Sequence, residues 1–381
     1  MTQLHQIPQC DPRAAFLDSR VEIEAAIASV LEGGEYVLGR SVRAFEAAFA
    51  EYIGVPYAVG VANGTDAIHL ALRAAGIGTG AEVITPSHTA VATVVGIEMA
   101  GATPVFVDVD ERSYTIDPVQ VERAITVRTK ALVAVHLYGQ PAKLDELGVI
   151  ARRRGLQMIE DCAQAHGAVY GGRKVGSYGT AGCFSFYPTK NLGAIGDGGI
   201  VVTAREEVYR NLCELRQYGW RQRYISQSRG FNSRLDELQA AILLVKLASL
   251  DRANARRIEL AERYGVRLAS TAVCTPQCSP GTNPVYHLYV IRHPERDALR
   301  NWLADNGIGT GIHYPVPVHQ QPAYFRASAG PLPVTERVAG EILSLPLYPE
   351  MAVDAVDAVA ESIGMFDERH HSGQRIMRTA L

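Results

Sequence analysis

Short apolar segments alternate with longer amphipathic ones between residues 57 and 203. The short segments have the length and apolar content of buried strands. They are Tyr57–Ala62, Glu82–Thr85, Pro104–Val107, Ala131–His136, Gln157–Glu160, Gly182–Phe186 and Gly199–Thr203. The amphipathic segments between them predict helices, among them Thr65–Ala74, Thr89–Ala100, Pro118–Ile125 and Leu144–Arg154. This alternation predicts βαβ units and a largely parallel sheet covered on both faces, with ligands bound at the carboxyl ends of its strands.

The second half of the chain predicts long helices followed by a smaller α/β unit. Residues 205–217 and 233–270 have helical spacing of apolar residues, and the second segment is long enough that we expect an interruption or a spine between domains. A strand at Tyr286–Ile291 and a helix at Glu295–Asn306 open a second α/β region. We therefore expect three parts, which are a large domain over 1–250, a small C-terminal domain over 251–368, and a mobile polar tail over 369–381.

Composition and charge exclude several classes of protein. The 381 residues are 47% hydrophobic and 20% charged, as in an ordinary folded protein. A net charge of −3 offers no basic footprint for nucleic acid or for an anionic membrane. The longest apolar stretch, Ala90–Val107, contains Glu98 and Pro104, and the N-terminus lacks the pattern of a secretory signal. Of the six cysteines only Cys274 and Cys278 are close together, so we expect reduced thiols, no metal site and a cytoplasmic protein.

Asn63-Gly64-Thr65 lies directly between the first strand and the first helix of the predicted sheet. The start of a helix presents free N–H groups and a positive dipole end, and Gly64 allows a ligand to approach closely. These properties suit a phosphate group. An ordinary N-cap by Asn63 or Thr65 explains the same residues equally well.

An acidic pair, Glu160 and Asp161, ends a hydrophobic strand. A carboxylate at this position could simply face solvent. If a ligand ring lies beside it, however, Asp161 could pair with a protonated pyridine nitrogen and keep the ring cationic, which provides the electron sink that carbanion chemistry needs. We interpret the nearby His166 as a structural histidine.

Lys190 follows a buried apolar strand and precedes a glycine-rich turn, with aromatic residues before it. Most lysines are solvated surface charges. A partly desolvated lysine more readily exposes a neutral amine, which can form a Schiff base with an aldehyde. Ser185, five residues earlier, is a candidate phosphate ligand.

Taken together, three motifs resemble those of the sugar aminotransferases of the DegT/DnrJ/EryC1/StrS family. The motifs are Asn63-Gly64-Thr65, Glu160-Asp161-Cys162-Ala163-Gln164 and Ser185-Phe186-x-x-x-Lys190-Asn191, and the resemblance runs from about Gly39 to Leu347. It implies an enzyme that depends on pyridoxal 5′-phosphate (PLP) and has the aspartate aminotransferase fold, fold type I. That fold has a large domain with a mostly parallel seven-stranded sheet and a smaller C-terminal α/β domain.

The resemblance also implies a role for each matching residue around the cofactor ring. Lys190 would hold PLP as a Schiff base and shuttle the proton between the substrate carbon and the cofactor. Asp161 would pair with the pyridine nitrogen, and Gln164 would lie beside the ring. The family often has an aromatic residue at the position of Ala90, so we take His88, on the loop expected over the ring, as the candidate for contact with its face.

For the cofactor phosphate, the resemblance implies a cup formed by Gly64, Thr65 and Ser185. Asn232 matches an asparagine that reaches this phosphate from the neighbouring subunit. The active site would then be shared between two subunits, and a homodimer would be obligatory.

The segment from 312 to 319 resembles the one that lines the nucleotide-sugar site of the family. In it, His313, Tyr314 and His319 are candidate substrate residues, although a proline-rich connector with incidental histidines explains the two imidazoles equally well. A tyrosine hydroxyl can bond a sugar or pyrophosphate oxygen. Tyr187 and Tyr224 are further candidates, and the basic, aromatic run around Tyr224 either contributes to diphosphate binding or is a solvated loop.

The residues after the lysine, Leu192 to Gly199, resemble the branch of the family that aminates C-3 of a keto sugar. The resemblance implies transfer of the amino group of L-glutamate to a dTDP-3-keto-6-deoxyhexose, which gives a dTDP-3-amino-3,6-dideoxyhexose. A C-4 aminotransferase, a UDP-3-keto sugar acid aminotransferase and a PLP-binding regulator without turnover remain alternatives. A sugar dehydratase of this fold is disfavoured because its lysine is typically replaced by histidine, and a Rossmann dehydrogenase because no Gly-x-Gly-x-x-Gly follows the first strand.

Overall fold

The structure, a computed structural model, describes residues 6–324 and 330–379, with side chains in the last helix as far as Arg369. The helices are α1 (Pro12–Asp18), α2 (Arg20–Gly33), α3 (Arg40–Ile53), α4 (Gly64–Ala74), α5 (Val91–Met99), α6 (Pro118–Ala124), α7 (Leu144–Arg154), α8 (Glu206–Leu215), α9 (Glu237–Leu247), α10 (Leu250–Arg267), α11 (Arg296–Asp305), α12 (Pro333–Glu341) and α13 (Val353–Thr379). The strands are β1 (Tyr57–Val61), β2 (Glu82–Pro86), β3 (Thr103–Val107), β4 (Thr129–Val135), β5 (Gln157–Asp161), β6 (Val169–Tyr170), β7 (Arg173–Lys174), β8 (Ala181–Ser185), β9 (Gly199–Thr203), β10 (Trp220–Gln222), β11 (Ile225–Ser226), β12 (Thr282–Asn283), β13 (Tyr289–Arg292) and β14 (Ile342–Leu345).

A seven-stranded sheet with the order β1-β9-β8-β5-β4-β2-β3 is the centre of the molecule. All seven predicted strands belong to it, and the expected α/β fold with a mostly parallel sheet is confirmed. β9 is antiparallel to both of its neighbours, and the pairs from β8 through β5, β4 and β2 to β3 are parallel. Helices cover both faces, which explains why the strands are apolar on both sides.

Four phenylalanines fasten α3 to β8 and to the residue after it. The ring centroids of Phe49 and Phe184 are 5.0 Å apart, and those of Phe45 and Phe186 are 5.2 Å apart, both pairs edge to face. Such pairs add about 0.5–1.5 kcal/mol each beyond the area that they bury. This packing makes the carboxyl end of β8 a rigid base for the loop that carries Lys190.

The C-terminal part is built on the antiparallel pair β13–β14, packed against α10, α11 and α13. The helical segment predicted over 233–270 is interrupted between Leu247 and Leu250, and α10 begins at Leu250, next to the predicted domain boundary. The division into two domains stays a prediction. α13 runs through most of the segment expected to be a tail, and residues 380–381 lie outside the described residues. Within the described residues, no helix has both the length and the hydropathy needed to span a membrane.

Candidate active site

A cavity of about 250 Å³ lies at the carboxyl ends of the central strands. Because β4, β5 and β8 run parallel, the loops that follow them meet at one edge of the sheet. Those loops, together with the segments around the starts of α4 and α5, form the lining. The residues of the lining that the sequence singled out are Gly64, Thr65, Asp161, Gln164, Ser185, Tyr187 and Lys190.

The start of α4 and the end of β8 form a narrow cradle in this cavity. Asn63 caps α4, and its Oδ1 accepts a hydrogen bond of 2.8 Å from the N–H of Asp66. The backbone N–H groups at the start of a helix have no hydrogen-bond acceptor within that helix. A Cβ added at Gly64 would lie 2.7 Å from the Cβ of Ser185, so only glycine fits against this strand end. The N-cap and the candidate phosphate site are therefore compatible interpretations of one turn.

Asp161 is the last residue of β5 and is almost fully buried. Its Oδ2 accepts a hydrogen bond of 2.8 Å from the hydroxyl of Thr93, and its Oδ1 accepts one of 3.1 Å from the N–H of Ala163. Burial raises the pKa of the Asp161 carboxyl, although these two donors and the charge of Lys190 oppose the rise. A cation beside this carboxylate would offset the cost of its burial.

Glu160 points to the opposite face of the sheet, as the two-residue period of a strand requires. Its carboxylate accepts backbone N–H bonds of 2.7–2.8 Å from Gly176, Tyr178 and Gly179. The hydrogen bonds of the Glu160 carboxylate therefore stabilise the 176–179 turn. Asp161 is the member of the acidic pair that faces the cavity.

Lys190 lies in a turn in which its N–H donates to the Tyr187 carbonyl at 2.8 Å. The next residue is anchored, because the Nδ2 of Asn191 donates to Asn254 Oδ1 at 2.9 Å and to the Val285 carbonyl at 3.0 Å. Burial lowers the pKa of the Lys190 amine to about 8, while the charge of Asp161 acts in the opposite direction. Near neutral pH, Lys190 therefore carries a far larger fraction of neutral amine than a surface lysine does.

Gln164 connects this cavity to a second one of about 230 Å³, which Lys190 and Tyr187 also line. Its Oε1 accepts from the N–H of Tyr138 at 2.7 Å, and its Nε2 donates to the Tyr314 hydroxyl at 3.0 Å. These two bonds fix the amide and so determine which edge of it faces each cavity.

Two of the substrate residues predicted from the 312–319 segment line the second cavity, and the third does not. His313 and Tyr314 are part of its lining, and His313 Nδ1 bonds the Ser344 hydroxyl at 2.9 Å. His319 is buried elsewhere, where its Nδ1 bonds the Ser87 hydroxyl at 2.6 Å. Its Nε2 bonds the carboxylate of Glu336 at 3.2 Å. This imidazole therefore has a structural role, because it connects side chains of different elements.

His88 does not line the cavity that Lys190 and Asp161 share. It is fully buried, and its Nε2 bonds the Tyr138 hydroxyl at 2.8 Å. Burial lowers the pKa of this imidazole to about 4. The residues of this loop that do line the cavity are Thr89 and Ala90.

Tyr224 and Asn232 are exposed on the surface of the chain and are not part of the cavity lining. Tyr224 is 73% exposed on the hairpin of β10 and β11, against Trp220. Asn232 follows that hairpin, and the carbonyl of its neighbour Phe231 accepts the N–H of Tyr218 at 2.8 Å. Both positions are accessible to a second chain.

Two residues of the site, Thr93 and Tyr138, were not predicted from the sequence. Thr93 holds Asp161, and Tyr138 holds both Gln164 and, through its hydroxyl, the carbonyl of His313. The available signal for Thr93 was weak, namely a lone hydroxyl in an otherwise apolar first turn of α5.

A buried group of possible metal ligands, His136, Glu160 and Cys162, adjoins the cavity, and His136 is part of its lining. His136 Nδ1 accepts the N–H of Ala142 at 3.0 Å, so the ring proton is on Nε2, which donates to Glu160 at 3.2 Å. Both imidazole nitrogens are thereby occupied, and we interpret the group as a hydrogen-bond network.

Comparison with known proteins agrees with this geometry. A curated relative, the dTDP-3-amino-3,4,6-trideoxy-alpha-D-glucose transaminase of Streptomyces venezuelae, is 49% identical over 363 residues, which are 93% of this chain and 96% of the relative. The crystal structure of S. venezuelae DesV in complex with a ketimine intermediate has a TM-score of 0.93 at 48% identity, covering 95% of this chain and 99% of that one. The structure of NtdA from Bacillus subtilis with bound cofactor PMP has a TM-score of 0.89 at 30% identity, covering 95% of this chain and 85% of that one.

The sequence profile of the DegT/DnrJ/EryC1/StrS aminotransferase family matches residues 18–364, which is nearly the whole chain. The resemblance seen in the three motifs thus extends through the sheet, the cavity and the C-terminal part. This chain belongs to the DegT/DnrJ/EryC1/StrS aminotransferase family.

Proposed function

We propose that this protein is a PLP-dependent aminotransferase that moves the amino group of L-glutamate to C-3 of a nucleotide-linked keto sugar. The observation that carries the proposal is the meeting of Lys190, Asp161 and the Gly64–Ser185 cradle in one cavity. An amine of lowered pKa, a buried carboxylate and an anion cradle are the three groups that a phosphorylated pyridine aldehyde requires.

The residues fit PLP in both charge and shape. Gly64, Thr65 and Ser185 would hold the phosphate at the start of α4, where the helix dipole favours an anion. Asp161 would face the pyridine nitrogen and keep it protonated, which relieves the burial of an uncompensated carboxylate. When bound, PLP supplies the electron sink that stabilises negative charge on the carbon next to the transferred nitrogen.

Lys190 performs the proton transfers in this proposal. Because its pKa is lowered to about 8, its Nζ can accept a proton from the substrate carbon near neutral pH and return it. Its fixed turn keeps the amine within the cavity. Gln164, held by Tyr138 and Tyr314, restricts the space beside it.

The second cavity is the proposed site for the sugar. Tyr187, His313 and Tyr314 line it next to Lys190, and their hydroxyl and imidazole groups can bond sugar oxygens. The substrate we favour is a dTDP-3-keto-6-deoxyhexose. The 3-amino sugar transaminase of S. venezuelae supports C-3 and dTDP, because it is 49% identical over 93% of this chain.

A homodimer with shared active sites is part of the proposal, with Asn232 of each chain reaching the phosphate cradle of the other. Large apolar side chains are exposed between α2 and α3, on the loop after Lys190 and on the β10–β11 hairpin, among them Tyr36, Val37, Ile195 and Ile225. Exposed apolar surface of this kind favours burial against a partner. We also propose that the protein works in the cytoplasm, where its six free cysteines stay reduced.

The test is transfer of ¹⁵N from labelled L-glutamate to a panel of nucleotide keto sugars, followed by mass spectrometry. We expect label on C-3 of a dTDP-3-keto-6-deoxyhexose and no transfer by Lys190→Ala, with the exposed Lys130→Ala as a control that keeps activity. Transfer to C-4 or to a UDP-3-keto sugar acid would favour those alternatives. PLP binding without transfer to any sugar would favour a regulator.

A further inference from the structure

Two buried threonines link the cavity wall to Asp161. Thr89 lies just before α5 and lines the cavity, and Thr93 lies one turn later in the first turn of the helix. Their hydroxyl oxygens are 2.8 Å apart, and the hydroxyl of Thr93 is 2.8 Å from Asp161 Oδ2. Both side chains are almost inaccessible to water.

The direction of these bonds follows from the number of protons. A carboxylate that pairs with a pyridinium nitrogen is ionised and can only accept. Thr93 has a single hydroxyl proton, which it donates to Asp161. The bond between the two threonines must then be donated by Thr89, so the chain of donors runs from Thr89 through Thr93 to Asp161.

We propose that Thr93 is a positioning residue of the cofactor site, which keeps the Asp161 carboxylate ionised and fixes its rotation, and that Thr89 orients the Thr93 hydroxyl. This inference rests on the proposed function and deepens it. With Thr93 bound to one oxygen and the Ala163 N–H bound to the other, the carboxylate cannot rotate without losing a hydrogen bond.

The electrostatics around Asp161 explain why such a donor matters. Burial favours the protonated acid, which could not hold a pyridinium nitrogen. Lys190 is the cationic group that opposes this, and the charge of Asp161 in turn raises the pKa of the Tyr314 hydroxyl. Thr93 supplies a hydrogen bond to the charged form, and such bonds are among the stronger ones in proteins.

The test is the dissociation constant of PLP, measured by absorbance titration of the cofactor-free protein. Thr93→Val keeps the shape of the side chain and removes the hydroxyl, and we expect PLP to bind about tenfold more weakly, since a hydrogen bond to a charged group contributes at least that factor. Thr93→Ser, which keeps the hydroxyl, should bind within about threefold of wild type on the same reasoning. Thr89→Val should weaken binding less than Thr93→Val, and it also serves as the second variant if Thr93→Val does not fold.

A matched control is Thr335→Val, which removes a buried hydroxyl that has no partner in the first turn of α12. It should leave PLP affinity unchanged. A double-mutant cycle separates positioning from general stability, because Thr93→Val should add little once Asp161→Asn has removed the carboxylate. A merely structural Thr93 would weaken PLP binding by the same factor in both backgrounds.

The outcomes distinguish this inference from the proposed function. If wild-type protein does not bind PLP, the proposed function is wrong and the inference falls with it. If wild type binds PLP and Thr93→Val binds it equally well, or if its effect persists fully beside Asp161→Asn, only the inference is overturned.

Discussion

Burial changes the acid–base chemistry of individual side chains in this site. The pKa of Lys190 falls to about 8 and that of Asp161 rises, and in each case the charge of the other residue works against the shift. His88 shows the same effect without a charged partner, since burial lowers its pKa to about 4. The lysine is thereby prepared as a base, and the aspartate requires donors and a cation to stay charged.

A first prediction concerns the pH at which Lys190 becomes reactive. In cofactor-free protein labelled with trace acetic anhydride, acetylation of Lys190 should be half-maximal near pH 8, since the amine is protonated and unreactive below its pKa and neutral above it. Lys143 is the internal control. Burial alone would lower the pKa of Lys143, but its bond to Asp110 holds that pKa above its ordinary value.

Mass spectrometry of tryptic peptides reports both lysines in one sample. Asp161→Asn should move the midpoint of Lys190 to lower pH, because it removes the charge that raises the pKa. If acetylation of Lys190 had its midpoint at the same pH as that of Lys143, the lowered pKa of Lys190 would be contradicted.

Asp161 and Lys190 could be predicted from the sequence because each follows a strand of a parallel sheet, where ligands bind. Thr93 could not, since its bond to Asp161 joins residues 68 positions apart on different elements. His88 shares a loop with residues of the cavity, but the sequence does not reveal that its ring turns inward to Tyr138.

At the scale of elements, the site depends on how closely α4 approaches β8. The absence of a side chain at Gly64 allows the start of the helix to rest on Ser185. The phenylalanine packing between α3 and β8 holds the other side of that strand. The cradle is therefore built directly on the packed core.

A second prediction is that Gly64→Ala narrows this cradle. The added Cβ would lie 2.7 Å from the Cβ of Ser185, so α4 or β8 must shift. We expect PLP to bind at least about tenfold more weakly, in line with the cost of misplacing a set of charged hydrogen bonds. The measurement is again absorbance titration.

Gly265→Ala is the matched control for this variant. Gly265 lies in α10, and a methyl group added there would lie more than 4 Å from every atom outside the adjoining backbone of its own helix and its two chain neighbours. Alanine should therefore raise stability by about 0.5–1 kcal/mol and leave PLP affinity unchanged. Equal PLP binding by Gly64→Ala and wild type would show that the cradle is not the phosphate site.

The elements themselves were largely predictable, and the differences have local causes. The strand predicted from Tyr286 begins at Tyr289, since Tyr286 has a positive φ that an extended strand does not accommodate. The helical spacing over 233–270 is continuous enough to conceal the break before Leu250. Periodicity reports which face is buried and not where the chain turns.

At the scale of the whole molecule, exposed apolar residues lie on the loop that carries Lys190 and on the β10–β11 hairpin. Tyr187 and Ile195 are exposed on the loop that carries Lys190, and Tyr224 and Ile225 are exposed on the β10–β11 hairpin. A homodimer that buries these side chains would also bring Asn232 to a neighbouring cradle. The division at residue 250 would then separate a dimerising part from a smaller one.

A third prediction tests this shared site by complementation. Lys190→Ala and Asn232→Ala should each be inactive alone. When the two are co-expressed with different tags, about half of the dimers are mixed and each mixed dimer has one intact site. We therefore expect about a quarter of wild-type transfer from the whole mixture and about half from the isolated mixed dimers. The mixed dimers are isolated with both tags and assayed. Recovery of no activity in them would mean that Asn232 serves the site of its own chain.

The central claim is that Lys190 holds the cofactor covalently, and reduction with borohydride tests it most directly. The purified protein is reduced, digested and searched by mass spectrometry for a phosphopyridoxyl group on each of its five lysines. We predict the group on Lys190 alone, and its loss when the protein is treated with L-glutamate before reduction. A phosphopyridoxyl group on another lysine, or on none, would contradict the account.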